Sequence, residues 1–321
     1  MEREEYLRKY EKECYEPATQ KFLRKTMEYI LANHDEIIAQ FTKELETFME
    51  KIGKMQRFQN ILAGQIAISI LRTSIWEGKT KIRFDCYDKG KEAGVNIAYQ
   101  YMEADFLTTE WENYRQELLH LVKEGNYERY VREAQITCYM SQAIQRLIML
   151  FVMDFKYYLC DADYLKHYEE MLTEDVFIIT AGEYLDWQKL LYVKVPEIDI
   201  IANPKNEPLV FQKMKEKKYR NQELTDMDLT QARFTNCEFS KCIFEQVVLN
   251  DVRFENCLFR DVNMQSGSMY GVTFINCTFQ NTDMSGMEKE YHINEGEMVR
   301  LKEIYREVLF IECIMDGKKV E

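Results

Sequence analysis

From Leu224 to Met284 every fifth residue is large and apolar: Leu224, Leu229, Phe234, Phe239, Phe244, Leu249, Phe254, Phe259, Met264, Met269, Phe274, Phe279 and Met284. Two positions before each centre the residue is small from Ala232 onward, with Cys237, Cys257 and Cys277 among the occupants. A spacing of five fits neither the 3.6 period of a helix nor the 2.0 period of a strand, so it predicts a repeat architecture. A longer period lies on top of it. The segment ARFTNCEF at Ala232–Phe239 returns as VRFENCLF and then as VTFINCTF, twenty residues apart each time. Twenty residues are four units of five, which predicts a four-sided coil. The centres and their small companions point inward and the other three positions outward. Each lap must bond its backbone to the laps above and below, because a buried peptide wall without partners is too costly.

These thirteen consecutive units resemble the pentapeptide-repeat family, whose consensus is A(D/N)Lxx, over about one fifth of the chain. The resemblance implies a right-handed quadrilateral β-helix. It also implies one possible activity, since some family members imitate duplex DNA, bind DNA gyrase and protect it from quinolones. Lys217 and Lys289 would be the next inward residues on either side, so the coil is expected to occupy residues 222–286.

The rest of the chain reads as helical up to Leu172. Apolar residues recur at three and four through Tyr6, Leu7, Tyr10 and Cys14, and again from Ile37 to Met49, with Pro17 a stop or restart. Met55–Trp76 is expected to be a helix central to its bundle, with further helices at Lys89–Ala104, Thr108–Lys123 and Tyr127–Leu159. Thr80–Tyr87 alternates weakly and reads as a short strand or a loop. Two β-leaning runs about Gly182 read as a hairpin, and Pro196, Pro204 and Pro208 mark a linker. Met298, Leu301, Ile304, Tyr305 and Val308 are spaced for a helix over Glu297–Cys313 that caps the coil. The expected fold class is thus α+β and multidomain. An α-helical bundle (1–172) is followed by a hairpin and linker (173–221), the coil (222–286), and a cap helix with tail (287–321).

At 321 residues the chain is long enough for two domains. A net charge of -13 argues against general attraction to nucleic acid or to an anionic membrane. Nine cysteines, an odd number with several at inward positions, and no charged-then-apolar leader give the expectation of a reduced, cytoplasmic protein. The apolar run at Leu147–Leu159 is interrupted by Asp154 and Lys156 and reads as too short to span a bilayer. No CxxC spacing occurs and the four histidines are scattered, so neither a metal nor a cofactor is expected.

Cys237, Cys257 and Cys277 could form a metal or redox ladder, but the Ala and Val in equivalent slots favour packing. Asn236, Asn256 and Asn276 share one phase and could form a polar stack or an outward recognition strip, of which the family resemblance implies the stack. The candidate partner-binding residues are the outward apolar ones: Val248 and Tyr270 on one side, with Ile243, Leu258 and Ile275 dispersed over the others. Asp85, Cys86, Asp88 and Lys89 form a polar cluster that fixes no reaction type, and Asp154 has no evident catalytic partner. No phosphate loop, nucleophile elbow or paired-acid motif is visible. The first expectation is therefore a non-enzymatic interaction or scaffold protein, with a protein partner or a homodimer through the C-terminal helix. The alternative is a DNA-mimicking gyrase binder. An enzyme in the helical part ranks third.

Overall fold

A computed structural model describes residues 3–59, 61–90, 94–159, 165–202, 209–289 and 307–320, with only the backbone of residues 154–158. The chain divides into two compact units, Met1–Lys194 and Val195–Glu321. The hairpin expected in a linker therefore belongs to the first unit.

The first unit is a helix-covered sheet, which corrects the expectation of an all-helical bundle. Its helices are α1 (Arg3–Tyr10), α2 (Glu16–Ala32), α3 (His34–Gln56), α4 (Arg72–Trp76), α5 (Trp111–Glu124) and α6 (Glu133–Leu159). Its strands are β1 (Ala63–Ile70), β2 (Lys81–Tyr87), β3 (Asn96–Glu103), β4 (Thr173–Glu183) and β5 (Gln188–Lys194), in the spatial order β3-β2-β1-β4-β5. Only β1 and β4 run parallel; the other pairs are antiparallel. The expected helix across Met55–Trp76 is thus the end of α3, strand β1 and the short α4. Strand β3 takes the second half of the helix expected over Lys89–Ala104. The helices α5 and α6 and the β4–β5 hairpin lie where the pattern places them.

Strand alternation explains β1. Ile66, Ile68 and Ile70 point to one face and join Ile82, Phe84 and Phe177 in the core. Phe84 meets Phe41 and Phe48 of α3 at ring distances of 5.7 and 6.0 Å, so this is the helix-covered face. Gln65, Ala67 and Ser69 point the other way. Pro17 does not stop its helix. Between α1 and α2 the chain makes a π turn at Glu11–Tyr15, and the Glu16 N–H donates to the Glu11 carbonyl. Widening the turn next to a residue that has no N–H lets the helix run on. By length and composition Glu133–Met153 of α6 would suffice to cross a membrane, and half of that stretch is buried inside the protein.

The second unit is the coil, with four walls. The first wall stacks Lys213–Lys215, Arg233–Thr235, Arg253–Glu255, Thr273–Ile275 and Leu309–Ile311. The second stacks Lys218–Arg220, Glu238–Ser240, Leu258–Arg260, Thr278–Gln280 and Cys313–Met315, and ends in an antiparallel strand, Lys318–Val320. The third holds Glu223–Thr225, Ile243–Glu245 and Asn263–Met264; the fourth holds Val247–Val248, Gly267–Ser268 and Met287–Glu288. Parallel neighbours are offset by twenty residues, as in Phe239 beside Phe259 and Phe259 beside Phe279.

Both limits of the coil lie outside the expected 222–286. Leu209, Met214 and Tyr219 are buried in its core, so it begins at least a lap's fraction earlier. Lys217 keeps its backbone in register while its side chain is exposed, which a first lap allows. At the other end Phe274 is followed in its row by Phe310, thirty-six positions on, where earlier laps take twenty. A sixteen-residue insertion therefore interrupts the last lap, and the coil then resumes. The cap helix expected over Glu297–Cys313 falls in part on residues 297–306, which lie outside the described residues. Where it is described, Leu309–Ile311 and Cys313–Met315 are strands. The second wall closes with a hairpin turned by Asp316 and Gly317, both at positive φ (47° and 79°), as a two-residue Asp-Gly turn requires.

Candidate functional surfaces of the coil

The interior is built of aromatic columns. Tyr219, Phe239, Phe259 and Phe279 stack at successive centroid distances of 5.0, 5.0 and 4.9 Å, within 24° of parallel. Phe234, Phe254, Phe274 and Phe310 form a second column at 4.9, 5.0 and 5.1 Å. Phe244 and Leu249 are likewise fully buried. The cysteines occupy the tight slots beside these rings. Cys237, Cys257, Cys277 and Cys313 are all buried, and each thiol donates to the carbonyl of a ring residue in the preceding lap: Met214, Phe234, Phe254 and Phe274 follow, with Phe replaced by Met only in the first. The sulfur–oxygen distances are 3.2–3.4 Å. Contact with Cys237 lowers the Cys257 thiol, but contact with Cys277 and burial together push it up to about 12, which disfavours the thiolate. Among the described residues no group of three His, Cys, Asp or Glu is placed to hold a metal.

The corners explain the asparagines. Most residues two after a centre have positive φ, and the Asn and Asp among them, Asn221, Asp226, Asn236, Asp251, Asn256, Asp261, Asn276 and Asn281, have φ between 48° and 56°. Asn and Asp tolerate this left-handed region best among residues with a side chain, so the corner selects them before any stacking does. Stacking follows: Asn276 Nδ2 donates to Asn256 Oδ1 at 2.6 Å, and Asn281 Nδ2 to Asp261 Oδ1 at 2.8 Å.

All five outward apolar candidates are half-buried, and the structure does not gather them into one patch. Val248 and Tyr270 share the fourth wall, but the Tyr270 hydroxyl donates to the Glu288 carboxylate and its N–H to Asn250 Oδ1. Ile243 sits on the third wall between Glu223 and Asn263. Leu258 follows Glu238 on the second wall. Only Ile275 lies in an apolar neighbourhood, beside Ile311 of the last lap. Leu309, Ile311 and Ile314 are 37, 44 and 44% exposed and wrap the corner between the first and second walls. The helical assignment hid Leu309 and Ile311; the return of the repeat phase, Phe310 and Met315 five apart with Cys313 two before Met315, was the signal.

Adding the first lap changes the charge balance. Lys213, Lys215, Lys217, Lys218 and Arg220 all lie in it, so residues 209–289 hold eleven acidic and ten basic side chains.

The polar cluster of the first unit does not converge on a reaction centre. Asp85 is 1% exposed and takes the Arg83 Nε–H at 2.9 Å to both oxygens, and Asn96 Nδ2 also donates to it. The Arg83 guanidinium lies 4.8, 5.7 and 5.0 Å from the rings of Tyr99, Tyr101 and Tyr184. Cys86 points into the opposite, core face, where burial pushes its thiol up to about 12. Asp88 Oδ1 accepts the Val95 N–H at 2.6 Å, and Lys89 is exposed. The Asp154 side chain lies outside the described residues.

Comparison with known proteins agrees with this geometry. Residues 224–301 match the family model of the pentapeptide repeat region, so the described coil from Leu224 to Lys289 is a pentapeptide-repeat coil. A trypsin-treated form of QnrB1, described as a plasmid-mediated fluoroquinolone resistance protein, is a similar solved structure. It is 18% identical over 37% of this chain and 52% of that one, with a TM-score of 0.29. The chain therefore spans about half the length of the solved structure it matches. No curated protein matches the chain.

Proposed function

We propose that the protein is a non-enzymatic docking protein whose coil binds through the end of its last lap, and that the occupant of that end is a second copy of the chain. The observation that carries this reading is the exposed corner of Leu309, Ile311 and Ile314 next to Ile275. Leu309–Ile311 is also the outermost strand of the first wall among the described residues, so one row of its N–H and C=O groups has no sheet neighbour. Edges of this kind are usually blunted by charge. The opposite edge of the same wall carries Lys213 and Lys215, whereas this one carries only apolar side chains. Two such strands can pair antiparallel about a two-fold axis, each covering the other's Leu309 and Ile311. Sedimentation of the full chain at micromolar concentration tests this: a dimer that becomes a monomer with Ile311→Lys supports it, and a monomer throughout overturns it.

A second reading, imitation of DNA to occupy gyrase, rests on the family resemblance. The coil's charge speaks against it. Eleven acids and ten bases leave a net of -1 over residues 209–289, whereas duplex DNA carries about one phosphate per 1.7 Å. A gyrase supercoiling assay separates the two, since the docking reading predicts neither inhibition nor protection.

A further inference from the structure

The first lap of the coil differs from the others at one slot. In the column of Cys237, Cys257, Cys277 and Cys313 a small side chain fills the space beside the rings. One lap before Cys237 the same position is Lys217. Its carbonyl accepts the Glu238 N–H at 2.9 Å, so the backbone is in register, yet its side chain is exposed. An ammonium without a partner cannot be buried in such a slot, and the space that a cysteine would fill opens outward instead. A cavity of about 470 Å³ lies here, at the start of the coil. That size falls within the range of small-molecule sites, about 300–1,000 Å³.

The walls of this cavity are held in place. Ile200 of the preceding segment is 1% exposed in the coil core. The buried Gln212 side chain donates to the Pro196 carbonyl and accepts the Ile198 N–H, both at 3.1 Å. Tyr219 is only 6% exposed, its ring is fixed 5.0 Å from Phe239, and its hydroxyl has no hydrogen-bond partner among the described residues. Burial pushes that phenol upward, so it stays a donor at neutral pH. Ile198, Ile201 and Met214 supply an apolar lining. Lys213, Lys217 and Lys218 outnumber Glu197 and Asp199, which leaves the lining with a net positive charge. Lys218 keeps one loose ion pair, with Glu238 at 3.9 Å.

We propose that this cavity binds a small molecule with one anionic head, a carboxylate or a phosphate monoester, and an apolar body. Lys217, Lys218 and the Tyr219 hydroxyl take the head, and Ile198, Ile201 and Met214 face the body. The site uses the opposite end of the coil from the docking corner and stands or falls separately from it.

The test is titration calorimetry of the full chain with decanoate, with decyl phosphate and with 1-decanol as the uncharged control. Saturable one-to-one binding of at least one anion, about tenfold or more tighter than the alcohol, is expected from a charge-assisted hydrogen bond. Lys217→Glu should weaken that anion about tenfold or more, and Tyr219→Phe, which keeps the stacked ring, several-fold. Should Lys217→Glu lower the melting temperature, Lys217→Met serves in its place. The relative affinities of the two anions identify the head group. Absence of binding by either anion, or unchanged affinity in the Lys217 variants, would overturn the proposal.

Discussion

Replacing Phe259 by alanine is the most informative perturbation of the coil. Its side chain is fully buried and stacks on Phe239 at 5.0 Å and on Phe279 at 4.9 Å. Burial of a ring of about 150–250 Å² at about 25 cal/mol per Å² gives roughly 4–6 kcal/mol as an upper bound. Core Phe→Ala substitutions cost about 3–5 kcal/mol, and the two stacked contacts place Phe259 in the upper part of that range. Tyr219→Ala removes a ring stacked on one side only, at the end of the column, and should cost about half as much. All three tryptophans, Trp76, Trp111 and Trp187, lie in the first unit, so tryptophan fluorescence follows that unit while far-UV circular dichroism also reports the coil. Urea unfolding followed by both probes gives the comparison. A loss at Phe259 below about 1 kcal/mol, or no larger than at Tyr219, would refute the stacked column as the source of coil stability.

Four further outcomes are expected. Gly267 has φ of 135°, and a Cβ there would lie 2.0 Å from the Val247 carbonyl, so Gly267→Ala should cost at least about 2 kcal/mol, read as a lower melting temperature; an unchanged one would contradict this corner. Native-state alkylation at pH 7.5, mapped by mass spectrometry, should modify the exposed Cys138 and spare Cys237, Cys242, Cys257, Cys277 and Cys313. The Cys257 thiol is raised from 9.0 to about 12 by folding, so its contribution to stability is complete below pH 9 and is lost as the pH climbs toward 12. Urea midpoints measured across that window should therefore fall with rising pH, and a rise would contradict the burial of the column. Asp85→Ala strips Arg83 and Asn96 of their shared acceptor and should destabilise the first unit by about 2–4 kcal/mol by tryptophan fluorescence. The double variant Arg83→Met/Asp85→Leu should recover most of that loss, and a double variant no better than the single one would refute the pairing.

The coil was legible because each lap repeats the same steric demand, and thirteen units report it independently. Its limits were not, for two reasons. An inward position at the end of a stack can carry Lys217, whose side chain swings out, and a lap can be interrupted and resumed, as between Phe274 and Phe310. The docking corner fell in that resumed lap, where Leu301, Ile304, Tyr305 and Val308 continue a helical spacing up to the strand. In the first unit Ile66 and Ile70 are four apart, which suits a helix and a strand equally, since four is even and also close to 3.6. Ile68 between them, with Gln65, Ala67 and Ser69 alternating, is what identifies β1 as a strand. The buried polar chain from Gln65 through Thr180 and Gln188 to Ser69 joins three strands, and no single stretch of sequence contains it.

The central claim is that one lap takes twenty residues and that Leu309–Met315 is the last lap resumed after an insertion. Deleting residues 290–305 returns Phe310 to a position twenty after Phe274, whereas deleting 290–307 leaves the lap two residues short. Alkylation of Cys313, now buried and bonded to the Phe274 carbonyl, reads the result directly. The account predicts that Cys313 stays protected after the sixteen-residue deletion and becomes reactive after the eighteen-residue one. Equal reactivity in the two variants would contradict it.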